Sequence, residues 1–133
     1  MEETPTVNMN LLKAAKIATI VLLLLILSQA MTGIGRFTST MDSSALDASH
    51  LHTARLGLVI AILVAVAIVM SKTEDKKLKA FGFESATFWL VMYGIGEMTP
   101  SNGNLAMIHV PIAMIMFARL MMMSKAFPSG DAN

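Results

Sequence analysis

Long apolar runs separated by short polar clusters dominate the pattern of this chain. Between Lys16 and Arg36 lie 19 consecutive uncharged residues, 17–35. About 20 helical residues cross the hydrocarbon core of a bilayer, so this run predicts a membrane-spanning helix. Three more apolar segments follow it and no clear cleavage pattern comes after it, which favours a retained span over a signal peptide.

A second run, 56–71, reaches crossing length when it is extended back through His50 and His52. Short oxygen-bearing side chains accept hydrogen bonds from the free amides of a first helical turn. Asp47 or Ser49 is therefore the predicted N-cap of this second helix.

The third and fourth segments differ in the length of their uncharged runs. The third has only 12 uncharged residues between Glu84 and Glu97 and needs residues 78–83 to reach crossing length. The fourth has 21 uncharged residues before Arg119, and its helix is predicted to start near Asn104, after a turn cluster. The predicted class is an all-α, four-helix membrane domain covering 1–133, with spans at about 11–34, 48–71, 78–97 and 104–124.

Composition supports a membrane protein. Hydrophobic residues make up 55% of the 133 and charged residues only 14%, whereas soluble proteins carry about 25% charged residues. Four spans leave no room for a separate soluble catalytic domain, and a net charge of +1 gives no basic surface for nucleic acid. With no cysteine, disulfides and thiolate metal sites are excluded, while the redox compartment stays undetermined.

The basic residues predict the orientation, because cytoplasmic loops carry an excess of lysine and arginine. With the N-terminus inside, only Arg36 and Arg55 lie on the outer side. Eight basic residues then lie on the cytoplasmic side: Lys13, Lys16, Lys72, Lys76, Lys77, Lys79, Arg119 and Lys125. We therefore expect a multi-pass protein of the cell (cytoplasmic) membrane with both termini in the cytoplasm.

All three histidines fall near the outer ends of the second and fourth helices. If these helices begin near Asp47 and Asn104, His52 and His109 are each five residues in, about 7 to 8 Å below the helix ends. Two imidazoles at one depth on facing helices suit the axial positions of a haem iron. His50 points about 200° away from His52 on a helix. His52 is the predicted ligand because Arg55 and Leu56 lie one turn further along its face and because it lies deeper.

Two other interpretations of the histidines stay open. They can be interfacial side chains whose polar ends reach the headgroup region, although ionisable residues in spans are functional candidates by default. They can also join a mononuclear metal site, provided that segment 50–52 is extended so that alternate side chains reach one side. The ligand pool for that site is His50, His52, His109, Glu97 and Asp47.

Partners can also be predicted for the other polar residues in or near the spans. Arg36 and Arg55 are predicted partners of haem propionates, since guanidinium pairs with carboxylate in a bidentate manner. Alternatively, Arg55 pairs with Asp42 or Asp47. Gln29, inside the first span, is expected to find a partner within the bundle.

Three stretches resemble a known family. They are 28–36 (Ser-Gln-Ala-Met-Thr-Gly-Ile-Gly-Arg), 51–57 (Leu-His-Thr-Ala-Arg-Leu-Gly) and 105–113 (Leu-Ala-Met-Ile-His-Val-Pro-Ile-Ala). The layout resembles one half of a haem A synthase, whose two four-helix modules each hold haem between histidines of their second and fourth helices. The resemblance implies ligand roles for His52 and His109. The missing second module, cysteine pair and catalytic carboxylate argue against carrying over the activity.

These observations predict a small integral-membrane subunit of a larger respiratory or oxidative complex that relays electrons through one b-type haem. The protein alone is expected to perform no substrate turnover. Its expected partners are membrane lipid and other membrane subunits, or further copies of itself. The alternative is a cofactor-free structural accessory subunit. In size and topology the chain loosely resembles the small accessory subunits of membrane oxidoreductases such as archaeal ammonia monooxygenase.

Overall fold

Four α-helices account for most of the chain. The computed structural model describes residues 6–38, 43–99 and 101–129; of Arg36, Phe37 and Ser43 it describes the backbone only. A single 3₁₀ turn, Gly103–Leu105, leads into the last helix. The helices are α1 (Met9–Thr38), α2 (Ser43–Met70), α3 (Lys76–Met98) and α4 (Ala106–Ala126).

Short polar side chains cap two helix starts and the turn before α4. The Asn8 carboxamide oxygen accepts from the amides of residues 10 and 11, and Asp75 accepts from the Leu78 amide at 2.9 Å. Asn102 does the same for the 3₁₀ turn. The prediction for α2 is wrong, because α2 begins at Ser43 and both proposed caps, Asp47 and Ser49, lie inside it.

The helices pack as a four-membered ring in chain order. Each helix packs against its sequence neighbours, and α1 also packs against α4, so that α2 and α4 lie diagonally opposite each other. Contacts between the end of one helix and the start of the next show that successive helices run antiparallel: Gly35 faces Leu46, for example. Short connections favour this arrangement.

The antiparallel order gives the bundle two different ends. We call the end formed by the last turns of α1 and α3 and the first turns of α2 and α4 the histidine end, and the opposite end the lysine end. At the lysine end the amide of Asn8 donates to the Ser71 carbonyl at 2.8 Å, which ties the start of α1 to the end of α2. This end also holds the lysines of segment 72–79.

The buried core lies in the lysine half of the bundle. Leu22, Ile68 and Leu78 are completely buried, and Leu120 and Met123 nearly so. The core continues along each helix at intervals of three and four residues, as in helix bundles generally. Its outermost members are Ile26, Gly57, Met92 and Met116; beyond them no described residue of the histidine end is buried.

Three helical segments are long and apolar enough to cross a membrane: Met9–Gly35, Ser44–Met70 and Gly103–Ala126. For α1, α2 and α4 the prediction of helices long and apolar enough to span a membrane is therefore confirmed. Exposed leucine, isoleucine, valine and methionine side chains cover these helices, as expected for surfaces that contact lipid. The third helix is present but is not among the three apolar segments.

Candidate histidine site

His50 of α2 and His109 of α4 meet across the bundle. Their ring centroids are 6.5 Å apart and the ring planes are inclined by 45°. Both side chains are partly buried. Because α2 and α4 are diagonal, the two imidazoles lie in the space between the four helices.

His52, which the sequence favoured as the partner of His109, is exposed instead. The difference in depth from the prediction follows from the residue at which α2 begins. With α2 beginning at Ser43 and the turn before α4 at Gly103, His50 is seven and His109 six residues in, so these two are level. The structure thus brings His50, and not the predicted His52, level with His109.

The direction of His50 follows from the inward face of α2. The stripe of buried residues 61, 64 and 68 continues toward the start of α2. Its next members, at spacings of four, three and four, are Gly57, Thr53, His50 and Leu46. Arg55 and His52 lie on other faces and are exposed. Counting back from the small residues of this stripe identifies His50, a signal that the sequence analysis did not use.

A hydrogen bond to α1 orients His50. The Thr32 hydroxyl lies 2.9 Å from Nδ1 of His50 and 2.9 Å from the Ser28 carbonyl, to which it donates. In the tautomer in which Nδ1–H donates to this hydroxyl, the imidazole lone pair is on Nε2, the nitrogen through which a histidine oriented in this way can ligate a metal.

Gln29 fixes α1 against α2 at the same level. Its side-chain amide donates to the His50 carbonyl at 2.6 Å and also to the Thr53 hydroxyl. The Thr53 hydroxyl in turn donates to the Ser49 carbonyl at 2.8 Å. The prediction that Gln29 finds a partner within the bundle is confirmed, and Thr32 and Thr53 are polar residues of the site that the sequence analysis missed.

Glycines of α1 and α3 face the two imidazoles. A Cβ atom built on Gly33 would lie 3.7 Å from Cε1 of His50, and one built on Gly96 would lie 3.7 Å from Cε1 of His109. A methyl group is in ordinary contact at that distance, whereas a longer side chain would extend into the rings. The diagonal pair α2 and α4 thus supplies the histidines, and the diagonal pair α1 and α3 supplies space beside them.

One ring nitrogen of His109 is unsatisfied by the described residues. Its Nδ1 atom is buried, and no hydrogen-bond partner for it is found among the described residues. A buried polar atom without a protein partner costs about 1–3 kcal/mol. A water molecule or a bound group in the space between the helices would remove this cost.

The two arginines lie apart from this pair of rings. Arg55 is exposed, and its Nε donates to the Tyr93 hydroxyl at 3.4 Å. Arg36 belongs to α1, but its side chain lies outside the described residues, as does Asp42. Their predicted contacts with propionates remain predictions.

The geometry required for the mononuclear metal site is not observed. Residues 50–52 are helical, so the side chains of His50 and His52 do not lie on one side. Within the described part of the chain, no group of three or more histidine, aspartate and glutamate side chains is close enough to share an ion. What the structure assembles is a pair of imidazoles.

Comparisons with models of protein families, with curated proteins and with solved structures find no match for this chain. The argument for function therefore depends on the site itself.

Proposed function

We propose that this chain is a small integral-membrane subunit of a larger respiratory or oxidative complex and holds one b-type haem between His50 and His109. The observation that carries the proposal is the 6.5 Å separation of the two rings. A metal held between two imidazole nitrogens would lie about 2 Å from each, so the centroids of the two rings would be roughly 6 Å apart.

Other features of the site fit the same group. With Nδ1–H of His50 donating to Thr32, Nε2 would carry the lone pair that holds the metal. Gly33 and Gly96 keep side chains away from the imidazoles. When bound, a b-type haem supplies a centre that accepts and releases single electrons. The two histidines would hold it, and the hydrogen bond to Thr32 would orient one of them.

The proposed topology has four crossings with both termini in the cytoplasm. The 23 residues of α3 extend about 34 Å at 1.5 Å per residue, long enough to cross. The basic residues of the lysine end support a cytoplasmic position for that end. Cysteines introduced at Glu74 and Ser129, which are exposed, should be labelled only from the cytoplasm, and one at Ser43 only from outside. Labelling of Ser43 from the cytoplasm would reverse the orientation.

The reduced-minus-oxidised optical spectrum of the purified protein tests the haem proposal. His50→Ala and His109→Ala should each abolish the spectrum of a bis-imidazole haem, since the chain has no cysteine to replace an axial nitrogen. His52→Ala, an exposed position on the same helix, should leave it intact. A spectrum that survives His50→Ala and is lost in His52→Ala would refute the assignment.

A structural accessory role is the second candidate. The Gln29 amide and the Thr32 hydroxyl both bond to groups of α2, so this polar cluster can act simply to hold α1 and α2 together. In that case the purified protein shows no haem spectrum and His50→Ala reduces only its stability. The same spectrum therefore distinguishes the two candidates.

A further inference from the structure

A second polar cluster lies in the lysine half of the bundle, between α3 and α4. Arg119 donates from Nε and from an Nη to the two carboxylate oxygens of Glu84, both at 2.6 Å. The guanidinium carbon also lies 4.7 Å from the centre of the Phe81 ring. Both side chains of the ion pair are partly exposed, 39% for Arg119 and 29% for Glu84, on the outer surface of the bundle.

Two adjoining hollows share Glu84 and Phe88. The inner one has a volume of about 10 Å³, room for about one water molecule, and Ser85 and Arg119 are among its lining residues. The outer one has a volume of about 310 Å³, is open to the surroundings and is lined by Glu84, Thr87, Phe88, Val91 and Ile112. The outer volume is at the lower end of the range of small-molecule sites, about 300–1,000 Å³.

Ser85 is a buried polar residue beside the inner hollow. Its side chain is 95% buried, since only 5% of its surface is exposed, and it lines the inner hollow. The Ser85 hydroxyl has no hydrogen-bond partner among the described residues. A serine in a helix commonly satisfies its hydroxyl by donating to a carbonyl one turn earlier, and Ser85 makes no such bond.

The charges of the cluster define the ligand. Because Glu84 and Arg119 neutralise each other, the hollow has no net charge to attract an amine or a phosphate. Each carboxylate oxygen can accept one more hydrogen bond in addition to the one from Arg119. Phe88 provides an aromatic surface, and the walls at Val91 and Ile112 are apolar. These features fit a neutral, lipid-soluble molecule with a flat ring and a hydroxyl group.

We propose that the groove between α3 and α4 binds an isoprenoid quinol, with its ring against Phe88 and a ring hydroxyl donating to Glu84. A water molecule in the inner hollow would join the Ser85 hydroxyl to the ring. The apolar tail leaves along Val91 and Ile112 into the lipid. This proposal concerns binding alone and is independent of the haem between His50 and His109.

Quenching of tryptophan fluorescence measures this binding, because Trp89, next to Phe88, is the sole tryptophan of the chain. The protein in nanodiscs is titrated with decylubiquinol and with decylubiquinone. Specific binding saturates, whereas partition of the probe into lipid gives quenching that rises without a plateau. We expect saturation.

Two variants locate the site. Glu84→Gln removes the charged acceptor and should weaken binding of the quinol about tenfold. Val91→Phe fills the groove from an exposed position, where it should not disturb folding, and should abolish the saturable phase. The matched controls are Glu74→Gln, in the exposed loop before α3, and Val66→Phe, on the exposed face of α2.

The outcomes are distinct. Quenching without a plateau in the parent protein means that the groove holds only lipid and overturns the proposal. Saturation that both Glu84→Gln and Val91→Phe leave unchanged places the ligand elsewhere and also overturns it. Saturation lost in Val91→Phe and kept in Val66→Phe supports it, whether or not the optical spectrum shows haem.

Discussion

The two ends of the bundle are built differently. In the lysine half, apolar side chains such as Leu22 and Ile68 are fully buried and helices contact each other through them. In the histidine half, hydrogen bonds such as those from Gln29 to α2 join the helices. In lipid, helices gain nothing from merely hiding apolar surface, so close packing and hydrogen bonds hold them together. The lysine half combines a packed apolar core with the Glu84–Arg119 pair between α3 and α4, whereas beyond that core no described residue of the histidine half is buried.

The difference assigns separate tasks to the two halves. A closely packed core stabilises the fold but leaves no room between the helices. The partly buried rings of His50 and His109 lie where that packing has ended. The lysine half therefore supplies rigidity, and the histidine half supplies space and hydrogen-bonding groups.

Removing a core side chain should give the largest loss of stability. Leu22→Ala leaves a cavity among α1 and its neighbours, where Leu22 is fully buried. We expect a loss of about 2–3 kcal/mol in the free energy of unfolding, measured by denaturation in mixed micelles. Leu24→Ala is the control, since Leu24 is 61% exposed and faces lipid. Equal losses for the two variants would contradict the division into a packed and an open half.

The border between the halves is marked by a close contact of a glycine with an indole ring. A Cβ atom on Gly57 would come within 2.2 Å of Cη2 of Trp89, a distance that forces the buried ring to move. Gly57→Ala should cost about 1–3 kcal/mol through overpacking and shift the tryptophan emission. A Cβ atom on Gly94, in the histidine half of α3, meets nothing within 4 Å, so Gly94→Ala should be neutral.

A polar contact of the histidine half should give the smallest effect. Gln29→Leu removes the bonds to the His50 carbonyl and the Thr53 hydroxyl. Hydrogen bonds between membrane helices are worth about 0.6 kcal/mol on average, so we expect a loss of that order, by the same denaturation assay. A loss as large as that of Leu22→Ala would mean that the polar half carries the fold as much as the core does.

The positions of the helices could be predicted from the sequence, because runs without charge are unambiguous. The predicted span 11–34 lies inside α1, and the weak third segment does form a helix, α3. The direction in which each helix faces was harder to predict. Apolar residues cover both the interior and the lipid surface of such a helix, so hydrophobic periodicity does not mark the inner face.

This limit explains the outcome at the histidines. His52 was favoured because Arg55 and Leu56 follow it on one face, but Arg55, Leu56 and His52 are all exposed. Small residues mark the inner face instead, because they allow helices to approach closely. Gly57, next to Trp89, is such a residue, and the same stripe leads back to His50.

The Glu84–Arg119 pair has a consequence for how the protein enters the membrane. The two residues are 35 positions apart, and the pair joins α3, the least apolar helix, to the helix that follows it. A carboxylate alone in a span is costly, by about 2.5–3.5 kcal/mol for aspartate at a helix centre. In the proposed topology with four crossings, Glu84 has no partner until α4 has left the ribosome, and α3 and α4 should then insert together as a hairpin.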